Sequence, residues 1–169
     1  MRKHAAANTH LAHIAIMRMA CGLCAGLGFV HSRHVIHRDL KPRNILLRRE
    51  MVQPAANPAT SREDCGWYPV ICDFGNACHL PGQSPELPTR KCCTLLYCAP
   101  EVLLPFMTYT WPSDVWSLGL VIAEMEHLTP VAFGAAAATN TAQLLAIWKL
   151  CQTAAAPRAL TWFEDRVKR

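Results

Sequence analysis

Apolar residues recur along residues 8–31 at helical spacing. Ile16, Met19, Ala20, Leu23 and Leu27 fall at i, i+3, i+4, i+7 and i+11, one stripe of an α-helix. Ile14, Met17, Cys21 and Cys24 add a second apolar face, so the pattern predicts a helix that is greasy nearly all round and therefore interior. Gly22, Gly26 and Gly28 lower helix propensity and are expected to permit close packing. The pattern then changes. Val35-Ile36 reads as a strand-like step, and a polar loop over 37–44 follows. Ile45-Leu46-Leu47 and Val70-Ile71-Cys72 read as two short apolar strands. Residues 48–69, with Pro54, Pro58 and Pro69, read as a disordered surface excursion, because a structureless loop of that length is uncommon inside a compact domain. Residues 73–101 carry little periodicity and read as a long exposed segment. A second buried helix is predicted from Pro112-Ser113-Asp114 to about Glu126, since Pro in a first turn with Ser or Asp beside it is a start signal. Ala135 to Ala138 form a small-residue link, and Leu144, Ile147, Trp148 and Cys151 predict a third, amphipathic helix. Residues 153–169 have no readable pattern. The elements together predict an α+β chain, mostly α-helical.

Composition narrows the class only a little. The 169 residues suit one domain or part of a larger one, and 51% hydrophobic with 17% charged describes a globular core. The net charge of +5 is mild. Basic residues gather at Arg33, Arg38, Lys41, Arg43, Arg48 and Arg49, and again at Arg90 and Lys91. Either a solvated face or attraction for phosphate explains them. Nine cysteines invite a disulfide or zinc reading, but Cys21 and Cys24 sit in a helical apolar pattern. Cys92, Cys93 and Cys98 lack a second pair at finger spacing, so reduced intracellular thiols are expected, with Cys92 or Cys93 as a redox switch the lesser reading. No apolar h-region follows Met1-Arg2-Lys3-His4, and the apolar run Val115 to Met125 is too short for a bilayer. A soluble chain with no membrane partner is expected. No finger, recognition helix or aromatic-basic stripe supports a nucleic-acid partner.

The polar loop carries the chemistry. Residues 37–44 read His-Arg-Asp-Leu-Lys-Pro-Arg-Asn, and Asp73-Phe74-Gly75 follows the second strand. One carboxylate to orient a hydroxyl, one ammonium to hold a transferring phosphoryl group, and an amide with a second carboxylate for magnesium are the parts phosphoryl transfer needs. Ala99-Pro100-Glu101 and Asp114-Val115-Trp116-Ser117-Leu118-Gly119 follow in order. With these four motifs, the chain resembles the large lobe of a eukaryotic protein kinase over roughly residues 8–152. Lys41, two positions after Asp39, resembles the serine/threonine type. Thr94 to Leu104 and Trp116 to Met125 look like the cyclin-dependent kinase group, and Asp73 to Cys78 has a flavour of the splicing-factor kinases.

The resemblance implies the roles. Asp39 accepts or orients the substrate hydroxyl proton, and Lys41 neutralises the transferring phosphate. Asn44 and Asp73 bind Mg2+, Leu46 floors the adenine of ATP, Thr94 and Tyr97 belong to the substrate loop, and Thr94 hydrogen-bonds near Asp39 and Lys41. Asp114 braces the catalytic loop through backbone N–H groups, and His37 is a packed structural histidine. Arg38 pairs with a phosphate on the activation segment, 73–101, carried by Thr89 or, as runner-up, Ser84.

The pattern also departs from the family. No Gly-rich loop and no Val-Ala-Ile-Lys strand occurs, so the small β-rich lobe is expected to be absent and the large lobe incomplete. The arginine expected to pair with Glu101 has no counterpart, and Cys98 stands where the family has arginine before Ala99. The expected function is ATP-dependent serine/threonine protein phosphorylation, with the isolated chain inactive. A non-catalytic scaffold is the alternative, and a small-molecule phosphotransferase the remote one. A protein substrate, a cyclin-like activator and a cytoplasmic or nuclear location complete the expectations.

Overall fold

The computed structural model describes residues 2–49, 66–79, 92–104, 109–127 and 139–153. Helix α1 (Arg2–Ser32) is followed by strand β1 (Val35–Ile36). His34 closes the helix in the left-handed region at φ 58°, its N–H donating to His31 O at 2.9 Å. Strand β2 (Ile45–Arg49) pairs antiparallel with β3 (Trp67–Ile71), Ile45 opposite Ile71 and Arg49 opposite Trp67. Strand β4 (Cys78–His79) pairs antiparallel with β1, Ile36 opposite Cys78. Helices α2 (Pro100–Leu103), α3 (Trp111–His127) and α4 (Asn140–Thr153) complete the described elements.

Several expectations change. The ladder reaches Arg48 and Arg49 on one strand and begins at Trp67 on the other, so the excursion expected over 48–69 is narrower, and residues 50–65 lie outside the described residues. Paired strands satisfy their own backbone groups, which a polar-looking sequence does not announce. The segment 73–101 is not uniformly exposed: Cys98 and Ala99 are buried. Helix α2 was not anticipated, being too short to have a period.

Nor is α1 interior all round. Leu23 and Leu27 are buried against α3 and β3, but Ile14, Met17, Cys21 and Cys24 are exposed. One face of a helix suffices to cover a two-stranded sheet. At 20 residues, His13–Ser32 is also long and apolar enough to cross a bilayer by length and composition, which the shorter 115–125 run is not. Of its glycines, Gly22 alone is required by close approach. A Cβ there would stand 3.0 Å from the rigid ring of Pro69, whereas Gly28 has nothing within 4 Å.

The buried residues form two clusters. Ile36, Cys98, Ala99, Val102, Leu103, Tyr109 and Ile147 make the first, and Leu23, Leu27, Leu40, Leu118 and Val121 the second. Ile36 and Leu40 are essentially inaccessible and belong to different clusters, so the loop between them is tethered at both ends to packed cores. Burying each such side chain stabilises by about 1.5–3 kcal/mol. A polar loop would otherwise wander; here its ends are hydrophobic anchors.

Candidate active site

Asp114 sets the shape of the loop. It lies in the first turn of α3, is 1% exposed, and accepts from His37 N–H at 2.8 Å, Arg38 N–H at 2.9 Å and His31 Nε2 at 2.9 Å. A buried carboxylate needs such donors. Arg38 adopts φ 68°, a left-handed conformation that costs roughly 1–3 kcal/mol in a non-glycine residue and persists only where the surroundings impose it. His37 is fully buried beneath the loop. Its Nε2 donates to Cys72 O at 2.9 Å, its Nδ1 accepts from Asp39 N–H at 3.3 Å, and its ring meets Phe74 edge-on at 4.9 Å. One neutral tautomer satisfies both bonds.

The loop delivers Asp39 into a closed set of donors. Its Oδ1 accepts from the Thr94 hydroxyl at 2.7 Å and the Thr94 N–H at 3.0 Å. Its Oδ2 accepts from Lys41 Nζ at 2.7 Å and from Asn76 Nδ2 at 3.4 Å. Lys41 also donates to Thr94 Oγ1 at 3.0 Å, so the three side chains form a triangle. Burial pushes the Asp39 carboxyl up, but the hydrogen bonds from Lys41 and Thr94 and the Lys41 charge outweigh it and hold the group below the ordinary carboxylate range. Asp39 is therefore an ionised acceptor with an ammonium group beside it.

The opposite side is open. Asn44, 4% exposed, donates its Nδ2 to Asp39 O at 2.9 Å, and its backbone carbonyl accepts from Cys72 N–H at 2.9 Å. That bond continues the β2–β3 ladder by one residue, and Asp73 is the next residue along the chain from Cys72. Asp73 is exposed, at φ 63°, with Gly75 N–H 3.4 Å from its Oδ1. Leu46 and Val70, directly paired across the ladder, are 56% and 40% exposed. The side-chain oxygen of Asn44 and the carboxylate of Asp73 are hard oxygen donors. Magnesium is commonly held by one or two carboxylates with the remaining positions filled by water and substrate phosphates, so this pair fits it. Among the described residues no cluster of three His, Cys, Asp or Glu side chains could hold a metal without such additional ligands.

A family model for the protein kinase domain matches residues 1–165. The chain belongs to the protein kinase family. It is similar to the human serine/threonine-protein kinase MAK, 35% identical over 82% of this chain and 18% of that protein. The rat serine/threonine-protein kinase ICK is 33% identical over 89% of this chain and 20% of its own length. The rice (Oryza sativa subsp. japonica) cyclin-dependent kinase B2-1 is 36% identical over 83% of this chain and 36% of its own length. The chain thus spans a fifth to about a third of these relatives. Its fold is similar to a chain in the crystal structure of the yeast RNA Pol II CTD kinase CTDK-1 complex, with a TM-score of 0.61, 25% identity, and coverage of 79% of this chain and 37% of that one.

Of the residues singled out in this kinase sequence, Asp39, Lys41 and Thr94 are in direct contact, Asn44 Nδ2 bonds Asp39 O, and Asp73 follows Cys72, whose N–H bonds Asn44 O. Tyr97 does not face the triangle. Its hydroxyl donates to Glu124 at 2.7 Å, and burial, then Glu124, raises its pKa strongly. Glu101 accepts from Ser113 Oγ at 2.9 Å. The Arg38 guanidinium lies 5.5 Å from the centroid of the Tyr109 ring, with Nε donating to Asn76 O. Thr89 and Ser84 lie outside the described residues.

Sequence reasoning missed two residues here. Asn76 bridges Asp39 Oδ2 and Cys92 O, the latter at 3.3 Å. Tyr109, buried, accepts both Cys92 N–H and Cys93 N–H, at 2.9 and 3.0 Å. Tyr109 belongs to no motif; Asn76 lies in the Asp73 to Cys78 stretch already noted for its resemblance, which gave it no role of its own. The cysteines also differ from expectation. Cys93 and Cys98 are joined in a disulfide with Cα atoms 5.6 Å apart, whereas Cys21, Cys24, Cys72 and Cys78 are free thiols. The spacing of five suggested nothing, because a helical turn between them supplies the approach.

Proposed function

We propose that this chain carries the catalytic-loop half of an ATP-dependent serine/threonine protein kinase, equivalent to part of the family's large lobe over residues 8–152, with 73–101 as its activation segment. The carrying observation is the Asp39–Lys41–Thr94 triangle. An ionised carboxylate that accepts the Thr94 hydroxyl at 2.7 Å can accept an incoming serine or threonine hydroxyl in its place. Lys41, already beside it, neutralises charge on the transferring phosphoryl group. Asn44 and Asp73 would hold magnesium, which supplies neutralisation of the nucleotide's phosphate oxygens. The apolar pair Leu46 and Val70 offers a floor to a planar base. Arg38 would draw a phosphate on Thr89 toward the loop.

The substrate is a protein hydroxyl and the activator a cyclin-like partner, by analogy with the cyclin-dependent relatives. An enzyme that uses ATP and keeps most described cysteines as thiols fits the cytoplasm or nucleus. The residues 1–169 as such are expected to transfer negligible phosphate, because Asp73 and Leu46, which would hold the nucleotide, stand exposed.

Two assays test the reading. Titration of ATP into the chain should show a magnesium-dependent component that Asp73→Asn abolishes. A fusion of this chain to a kinase small lobe should phosphorylate serine/threonine peptides and not small alcohols. Magnesium-independent ATP binding, or a fusion in which Asp39→Asn retains full transfer, would refute it.

A further inference from the structure

The disulfide lies across the segment that contacts Asp39. Cys93 and Cys98 close a ring of six residues that contains Thr94 and the turn Leu95–Tyr97. On one side, the N–H groups of Cys92 and Cys93 both rest on the Tyr109 hydroxyl. On the other, Cys98 is 1% exposed and packs with Ile36 and Ala99. Thr94, between these anchors, donates both its N–H and its hydroxyl to Asp39. The ring therefore fixes the distance between the residue before Thr94 and the core at Cys98.

We propose that Cys93 and Cys98 are a reversible thiol–disulfide site whose state sets how firmly Thr94 is held against Asp39 and Lys41. The two sulfurs differ in access. Cys93 is half-buried and Cys98 is enclosed. A low-molecular-weight thiolate attacks the Cys93 sulfur, forms a mixed disulfide there and expels Cys98 as a thiolate, which takes a proton. A second thiol then attacks the mixed disulfide, releasing Cys93 as a thiol and leaving the reductant as its own disulfide. Two electrons and two protons reach the protein. In the reverse direction a low-molecular-weight disulfide accepts them. Intracellular disulfides are characteristically of this transient kind. Opening the ring leaves Thr94 held by its bonds to Asp39 and Lys41 without the covalent limit on the segment's freedom. Any consequence for substrate hydroxyls rests on the kinase reading; the pairing itself does not.

The test reads pairing and local order, not activity. The full chain is incubated with glutathione disulfide and then with dithiothreitol, and followed by intact mass, peptide mapping and amide hydrogen exchange. Oxidation should remove two hydrogens from the mass, and mapping should join Cys93 to Cys98. Reduction should restore the mass and speed exchange at the Thr94 N–H about tenfold while the His37 N–H, held by Asp114, stays unchanged. Cys92→Ser should keep this response, and Cys93→Ser should abolish it. Cys93 is the less buried partner, so its variant guards against misfolding of Cys98→Ala. Three results would overturn the proposal: a pair formed by Cys92, no pair at all, or Thr94 exchange that is equal in both states or changes only together with His37.

Discussion

The two halves of the site are built differently. Around Asp39, the carboxylate is bonded on both oxygens by groups from three segments, and the backbone beneath it is held by a buried aspartate. Around Asp73, the carboxylate is exposed and meets Gly75 N–H only at 3.4 Å, and the apolar residues Leu46, Val70 and Phe74 are 56%, 40% and 44% exposed. The Asp39 half is a finished hydrogen-bond network. The Asp73 half is an open surface, which the proposed function assigns to the nucleotide. A network whose members satisfy one another is preorganised and costs nothing further to assemble at the moment of reaction, while an exposed ligand pair acquires order when the ligand arrives.

The largest expected effect falls on the finished half. In a fusion that supplies a small lobe, Asp39→Asn should lower phosphoryl transfer by about 10²–10⁴-fold while leaving magnesium–ATP affinity near that of the parent. Steady-state kinetics beside a binding titration would reveal whether the halves are separable; parallel loss of both would show they are not. Next, Asp114→Ala should cost about 4 kcal/mol in a denaturant melt, because two loop N–H groups and His31 lose one acceptor together. Thr94→Val keeps the backbone bond but removes the hydroxyl that serves both Asp39 and Lys41, and should cost about 2 kcal/mol.

A smaller effect follows from protonation. The folded Asp39 carboxyl lies below its unfolded value, so its contribution is fully present above the ordinary aspartate range near about 4 and fades as pH falls through the lowered folded value. Denaturant midpoints measured down an acid series should drop there, and Lys41→Met should flatten the drop. The smallest change in stability belongs to the open half. Leu46→Ala should alter stability by less than about 0.5 kcal/mol, since the side chain is 56% exposed, yet weaken ATP binding measured by titration. A large stability loss there would mean that Leu46 is part of the core rather than a binding floor.

Local motifs were readable because their chemistry depends on residue type at short spacing. His37 to Asn44 and Asp73 to Gly75 announce a carboxylate, an amine and an amide for phosphate chemistry before any coordinates, and the 3.6-residue period located the three long helices among the described residues. Their faces were less legible. Ile14, Met17 and Cys24 look as apolar as Leu23 and Leu27, and only the position of β3 and α3 selects which of them is covered. The strand pairing of Arg48 and Arg49 was hidden for a similar reason, since backbone bonds, not side-chain polarity, extend a ladder.

Residue order by itself determined the family, the candidate reacting groups and the periodic elements, because each depends on neighbours close along the chain. Tertiary structure alone decided that Asn76 closes upon Asp39, that Ser113 takes up Glu101, that Tyr109 holds two N–H groups, and that Cys93 meets Cys98. The physical reason is that hydrogen bonds and disulfides act over a few ångströms, and most of these partners come close only after the hydrophobic clusters at either end of the catalytic loop have packed.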